Sequence, residues 1–114
     1  MRIYKNLEKF FIKYRNRSSY GIDYENAKTI LKNDNQAMLI DVRSPQEYRE
    51  GHLEKSINIP LYDLEEKYKQ FIDKKEDTII LYCQTGKRSR KALEILREKG
   101  FENLYQIEGG LDNI

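Results

Sequence analysis

Residues 78–83, Thr-Ile-Ile-Leu-Tyr-Cys, form an apolar run of strand length in which polar and apolar positions do not alternate. A strand with one face in water alternates with period two, so a continuous run suits a strand covered on both faces, as the strands of a parallel sheet are. Parallel neighbours need crossover connections, and the rest of the chain has the patterns to supply them. AMLIDV (37–42), SINIP (56–60) and NLYQI (103–107) read as further short strands, with helical patterns around them. Asp23 caps YENAKTILKN, which places Ala27, Ile30 and Leu31 on one side. Ser44 and Pro45 open a short helix that Gly51 stops. Leu61, Leu64, Tyr68, Phe71 and Ile72 line one face of a helix expected over 61–73, the longest of the middle region. From Ser89 a last helix carries Ala92, Leu93 and Leu96 inward and ends at Gly100. This alternation predicts an α/β fold, an open and mainly parallel sheet with helices on both faces. Ligands of such sheets gather at the carboxyl ends of the strands, where Cys83 stands.

A length of 114 residues suits one core. Residues 1–20 read as a basic amphipathic helical extension, because Leu7, Phe10, Phe11 and Tyr14 recur at helical spacing among Lys5, Lys9, Lys13 and Arg15. The domain proper is expected over 21–114. Docking of the extension on the domain, or pairing with another copy, is favoured over membrane contact. Its longest apolar run is FFI, too short for a secretory signal, and no segment approaches a membrane span, so the expected location is the cytoplasm. Charge is dense but balanced, 21 basic against 19 acidic side chains, which argues against nucleic acid as the main partner.

Cys83 is the only cysteine and His52 the only histidine. An intrachain disulfide is therefore excluded, as is a zinc cage of the usual kind. By position alone, Cys83 is equally an inert core thiol or a reactive one. The residues that follow it, Gln84, Thr85, Gly86, Lys87, Arg88 and Ser89, favour the reactive reading. A thiol between a strand end and a helix start faces unpaired amides and the positive end of the helix dipole, and both stabilise a thiolate. Gly86 allows the backbone to curl its amides around an anion, Thr85 and Ser89 add hydroxyls, and Lys87 and Arg88 add positive charge. Arg88 is expected to anchor the loop or bind substrate, and Arg90 to point to solvent.

The segments LIDVRSPQEYREGHLEKSINIP, IILYCQTGKRS and IEGGL, in that order and spacing, resemble the rhodanese-like sulfurtransferases from about residue 21 onward. The resemblance implies a single-domain rhodanese fold in which Cys83 takes a sulfane sulfur from a small anionic donor such as thiosulfate. The resulting persulfide passes its sulfur to cyanide, a thiol or a protein, with no metal or organic cofactor. It also implies that the loop Cys83 to Arg88 is shaped by backbone amides. Asp41 and Arg43 at a strand end have a structural role in this resemblance, with Arg43 able to pair with Glu47, and His52 shapes a turn rather than acting as a base.

Two alternatives stand beside this reading: a noncatalytic or regulatory module that binds partners or relays sulfur, and a cysteine-dependent phosphatase or arsenate reductase. The spacing weighs against the last two. Such phosphatases place arginine six positions after the nucleophile, whereas here that position is Ser89 and Arg88 comes one residue early. Two departures from the resemblance stand out. Glu54, Lys55 and Ser56 replace a proline-glycine-alanine turn, and GGLDNI lacks the aromatic residue and final helix common in the family. The N-terminal helix is expected to fill any gap this leaves in the covering layer.

Overall fold

In the computed structural model of the chain, which describes residues 20–114, the strands are β1 (Gly21–Ile22), β2 (Met38–Asp41), β3 (Ser56–Asn58), β4 (Ile79–Tyr82) and β5 (Leu104–Ile107). They form one sheet in the order β1-β5-β4-β2-β3, and every pairing is parallel. The central strand β4 is buried at all four positions, which is the condition its unbroken apolar sequence called for.

The helices are α1 (Tyr24–Asn33), α2 (Pro45–Glu50), α3 (Leu64–Lys67) and α4 (Lys87–Glu98). Successive strand residues point to opposite faces, so each strand feeds two cores. On one face Ala27 and Ile30 of α1 pack with Ile22, Leu39, Ile80, Tyr82 and Ile107. On the other, Ala92, Leu93 and Leu96 of α4 and Leu64 of α3 pack with Ile40, Ile79, Leu81, Cys83 and Leu104. Helices therefore cover both faces of the sheet, and Cys83 belongs to the α4 side.

Four elements differ from the sequence expectations, the first being the two-residue strand β1, where no strand is expected. The helix expected over 61–73 is a 3-10 turn (Leu61–Asp63), the single α turn of α3 and a second 3-10 stretch (Tyr68–Lys74), broken at Phe71 with φ −130° and ψ 30°. The break lets Phe71 turn inward against Phe101, at 5.5 Å between rings, and leaves Ile72 45% exposed instead of on the apolar face. Helix α4 starts at Lys87, two residues before Ser89. Gly110–Asn113 adds a 3-10 turn after β5. The helix expected in the N-terminal extension around Leu7, Phe10, Phe11 and Tyr14, and any part it plays in covering the sheet, lie outside the described residues.

Lys55 stands at φ 71°, a left-handed conformation that costs a non-glycine residue roughly 1–2 kcal/mol. This is the turn in which Glu54-Lys55-Ser56 replaces proline-glycine-alanine. Among the described residues, no helix is long and apolar enough to cross a membrane.

Candidate active site

The chain leaves β4 at Tyr82 and enters α4 at Lys87, so the four residues between them make a tight turn at the carboxyl edge of the sheet. Gly86, at φ 98°, sits in the left-handed region immediately before the helix. That conformation aims its amide back at the cysteine: Gly86 N donates to Cys83 Sγ at 3.1 Å and Ser89 N donates at 3.3 Å. The first-turn amides of Lys87 and Arg88 have no partner within the helix either and add to the positive end of its dipole. Cys83 has no exposed surface. Burial alone would suit an inert core thiol; two amides converging on the sulfur are what such a thiol lacks.

Ser89 is also buried, with its hydroxyl 3.6 Å from Cys83 Sγ. Ser89 Oγ donates to Gln106 Oε1 on β5 at 2.7 Å. Thr85 and Lys87 are exposed, as is Arg90, one turn into α4. Together with Gly86, Gln106, Glu108 and Gly109 these three line a cleft of about 350 Å³ beside the loop.

Arg88 is held across the loop by α2. Its guanidinium makes a bidentate pair with Glu47, at 2.7 and 3.0 Å. Glu47 in turn closes a capping box with Ser44 at the start of α2, which fixes its rotamer. Arg88 therefore anchors the loop. Arg43 pairs not with Glu47, as expected, but with Asp41: Nη2 donates to Oδ2 at 2.8 Å and Nε lies 3.1 Å from both carboxylate oxygens. The reason is geometric. Arg43 precedes the extended N-cap Ser44, so its side chain does not share a helical face with that of Glu47.

Arg43 also donates to Gly51 O at 2.6 Å and to Gln84 Oε1 at 3.4 Å, and Gln84 Nε2 donates to Asp112 Oδ1 at 2.6 Å. These bonds link the end of β2 to the loop and to the C-terminal turn. That turn grips the loop backbone directly, because Leu111 N donates to Cys83 O and Asp112 N to Gln84 O, both at 3.0 Å. His52 stacks on Tyr48 at 3.7 Å and bonds Tyr48 O through Nδ1 at 2.7 Å, a turn-forming position.

Gln106, Asp112, Gly110 and Asn58, whose amide bonds the carbonyls of Asp41 and Arg43, escaped the sequence reading. Two of them left a signal: Gln106 as a lone amide in an otherwise apolar strand, and Gly110 as part of the IEGGL segment. Among the described residues, no three His, Cys, Asp or Glu side chains converge as metal ligands would.

The Arg88 pair and the Ser44 bonds hold the Glu47 carboxyl down at about 2 against burial, from an ordinary value of 4.5. Because the folded-state value is depressed, the stability this pair contributes is present above pH 4.5 and is lost as pH falls toward about 2. Both side chains are about one-third exposed, at 32% and 39%, so solvent screening limits the contribution to about 1 kcal/mol. Thermal melts across this acid range should show a shallower fall for Glu47→Gln than for the wild type. Parallel curves would exclude the pair as a source of acid sensitivity.

The family model of the Rhodanese-like domain matches residues 23–114. The thiosulfate sulfurtransferase PspE of Escherichia coli (strain K12) is 40% identical over 75 residues, 66% of this chain and 71% of that protein. A tRNA uridine(34) hydroxylase of Buchnera aphidicola is 33% identical over 113 residues, 96% of this chain; the chain spans only 36% of that enzyme. Among solved structures, a rhodanese with anions from E. coli is 38% identical, with a TM-score of 0.62 over 68% of this chain and 91% of that one. The human single-domain sulfurtransferase TSTD1 is 26% identical, with a TM-score of 0.71 over 82% of this chain and 92% of that one.

Proposed function

We propose, because the chain belongs to the rhodanese-like family, that it is a single-domain sulfurtransferase with Cys83 as the nucleophile. The observation that carries this reading is the convergence of the Gly86 and Ser89 amides on Cys83 Sγ at the head of α4. The thiolate attacks the outer sulfur of thiosulfate, a new S–S bond forms, and the donor's own S–S bond breaks with its electron pair leaving on sulfite. Cys83 then carries a persulfide whose outer sulfur stands about 2 Å beyond Sγ, where first-turn amides and the dipole of α4 stabilise its charge. Cyanide or a thiolate attacks that outer sulfur, and Cys83 departs as a thiolate. No separate base is required, which agrees with the turn-forming position of His52.

The setting also favours a small anionic donor. A sulfur without exposed surface is reached most easily by a slender terminal atom, and the exposed Lys87 and Arg90 draw anions toward the loop. A second reading, a rhodanese-like module that relays sulfur or serves within a larger reaction, is supported by the Buchnera hydroxylase match across 96% of this chain.

The test is intact-mass measurement after incubation with thiosulfate. The protein should gain the mass of one sulfur atom and lose it on addition of cyanide. Protein first alkylated with iodoacetamide should gain none, because Cys83 is the only cysteine. Absence of the gain, or its persistence after alkylation, would overturn the sulfurtransferase reading.

A further inference from the structure

We infer that Gln106 is a positioning residue that fixes the single proton of the Ser89 hydroxyl and thereby sets the reactivity of Cys83. The inference rests on Cys83 being the reacting thiol, but its readout is alkylation, so it can fail while sulfur transfer stands, and the reverse.

A serine hydroxyl has one proton to donate. Three acceptors surround that of Ser89: Gln106 Oε1 at 2.7 Å, Gly86 O at 3.2 Å and Cys83 Sγ at 3.6 Å. The Gln106 oxygen is nearest, and both residues are buried, Ser89 at 0% and Gln106 at 3% exposure. An unpaired buried acceptor is costly, so the proton stays with Gln106. Ser89 then meets the sulfur as an acceptor, suited to a neutral S–H, while the thiolate is left with the two backbone amides.

Without the glutamine oxygen, the hydroxyl has Gly86 O, already bonded by Arg90 N, and the sulfur as acceptors; the charged thiolate is the stronger of the two and gains a third hydrogen bond. The charged groups around the loop are Lys87, Arg88 and Arg90 on α4, Glu108 after β5, Glu47 on α2, Asp41 and Arg43 at the end of β2, and Asp112 on the C-terminal turn. They are the same in wild type and variant, so a change in reactivity reports the redirected proton.

Gln106→Met keeps the side-chain bulk and removes the acceptor. At about pH 6, its alkylation by iodoacetamide should be about threefold faster than in wild type, because one added bond to a charged group raises the thiolate population about tenfold while making each thiolate a weaker nucleophile. At about pH 9.5, above the ordinary thiol range, the variant should react no faster than wild type, because the extra hydrogen bond then only weakens the nucleophile. In the Ser89→Ala background Gln106→Met should change nothing, because the proton it redirects is gone. Should Gln106→Met fail to fold by circular dichroism, Gln106→Glu, which keeps the acceptor oxygen, should alkylate no faster than wild type. An unchanged rate at about pH 6 in Gln106→Met would overturn the inference. So would equal acceleration at both pH values, acceleration that survives in Ser89→Ala, or acceleration in Gln106→Glu.

Discussion

Gly110→Ala is expected to lower the melting temperature by more than about 10 °C and to impair the thiol loop in whatever protein remains folded. Gly110 lies at φ 64°, where a side chain costs roughly 1–2 kcal/mol. The added methyl would also stand 2.6 Å from both C and O of Gln84 and press on the carbonyl oxygen of Cys83. All three are backbone atoms of the loop itself. They cannot swing aside as a side-chain tip can, and overpacking of this kind costs about 1–3 kcal/mol more. For a domain of this size each kcal/mol shifts the melting temperature by about 4–8 °C.

The same contact explains why the effect reaches the site. The Leu111 and Asp112 amides hold the carbonyls of Cys83 and Gln84, so relief of the clash must pull the C-terminal turn off the loop. Gly21→Ala is the control, since the atoms nearest its new methyl belong to the Glu108 side chain, and the closest, Oε2 at 2.7 Å, is its flexible end. Calorimetry, with iodoacetamide reactivity per folded molecule, measures both effects. A melting temperature within about 2 °C of wild type would show that the turn yields freely.

How much of this was legible in the sequence depended on how far apart the contributing residues lie. The unbroken run ending at Cys83 specified a buried parallel strand, and Gly86 with the bases after it marked the anion-holding turn, because one short segment carries both signals. Strand β1 was missed because two residues show no periodicity. The middle helix was overextended because Leu61, Leu64, Tyr68 and Phe71 keep helical spacing across a break that tertiary packing of Phe71 imposes. Local spacing suggests a pair between Arg43 and Glu47, whereas the link that forms, from Glu47 to Arg88, spans 41 residues and leaves no local trace. Gln106 and Gly110 act on Cys83 only because β5 lies beside β4, a neighbourhood set by sheet order.

Arg43→Ala should be the most destabilising single truncation of a charged residue around the site, by about 3–5 kcal/mol, the usual cost of leaving one member of a buried ion pair alone. Asp41 has no exposed surface and Arg43 is 4% exposed. Removing the guanidinium leaves the Asp41 carboxylate with the amide of residue 43 as its remaining partner of that set, at 2.9 Å. It also frees Gly51 O and Gln84 Oε1, the two points through which Arg43 ties the end of α2 and the active loop together. Arg43→Lys should recover only part of the loss, because an ammonium cannot meet both carboxylate oxygens, a carbonyl and an amide oxygen with the geometry of a planar fork. Asp41→Asn combined with Arg43→Met should be more stable than Arg43→Ala, since no unpaired charge is then buried. Urea unfolding of the four proteins tests the order wild type, double variant, Arg43→Lys, Arg43→Ala. If Arg43→Ala unfolded at the wild-type midpoint, the pair would be no brace for the loop.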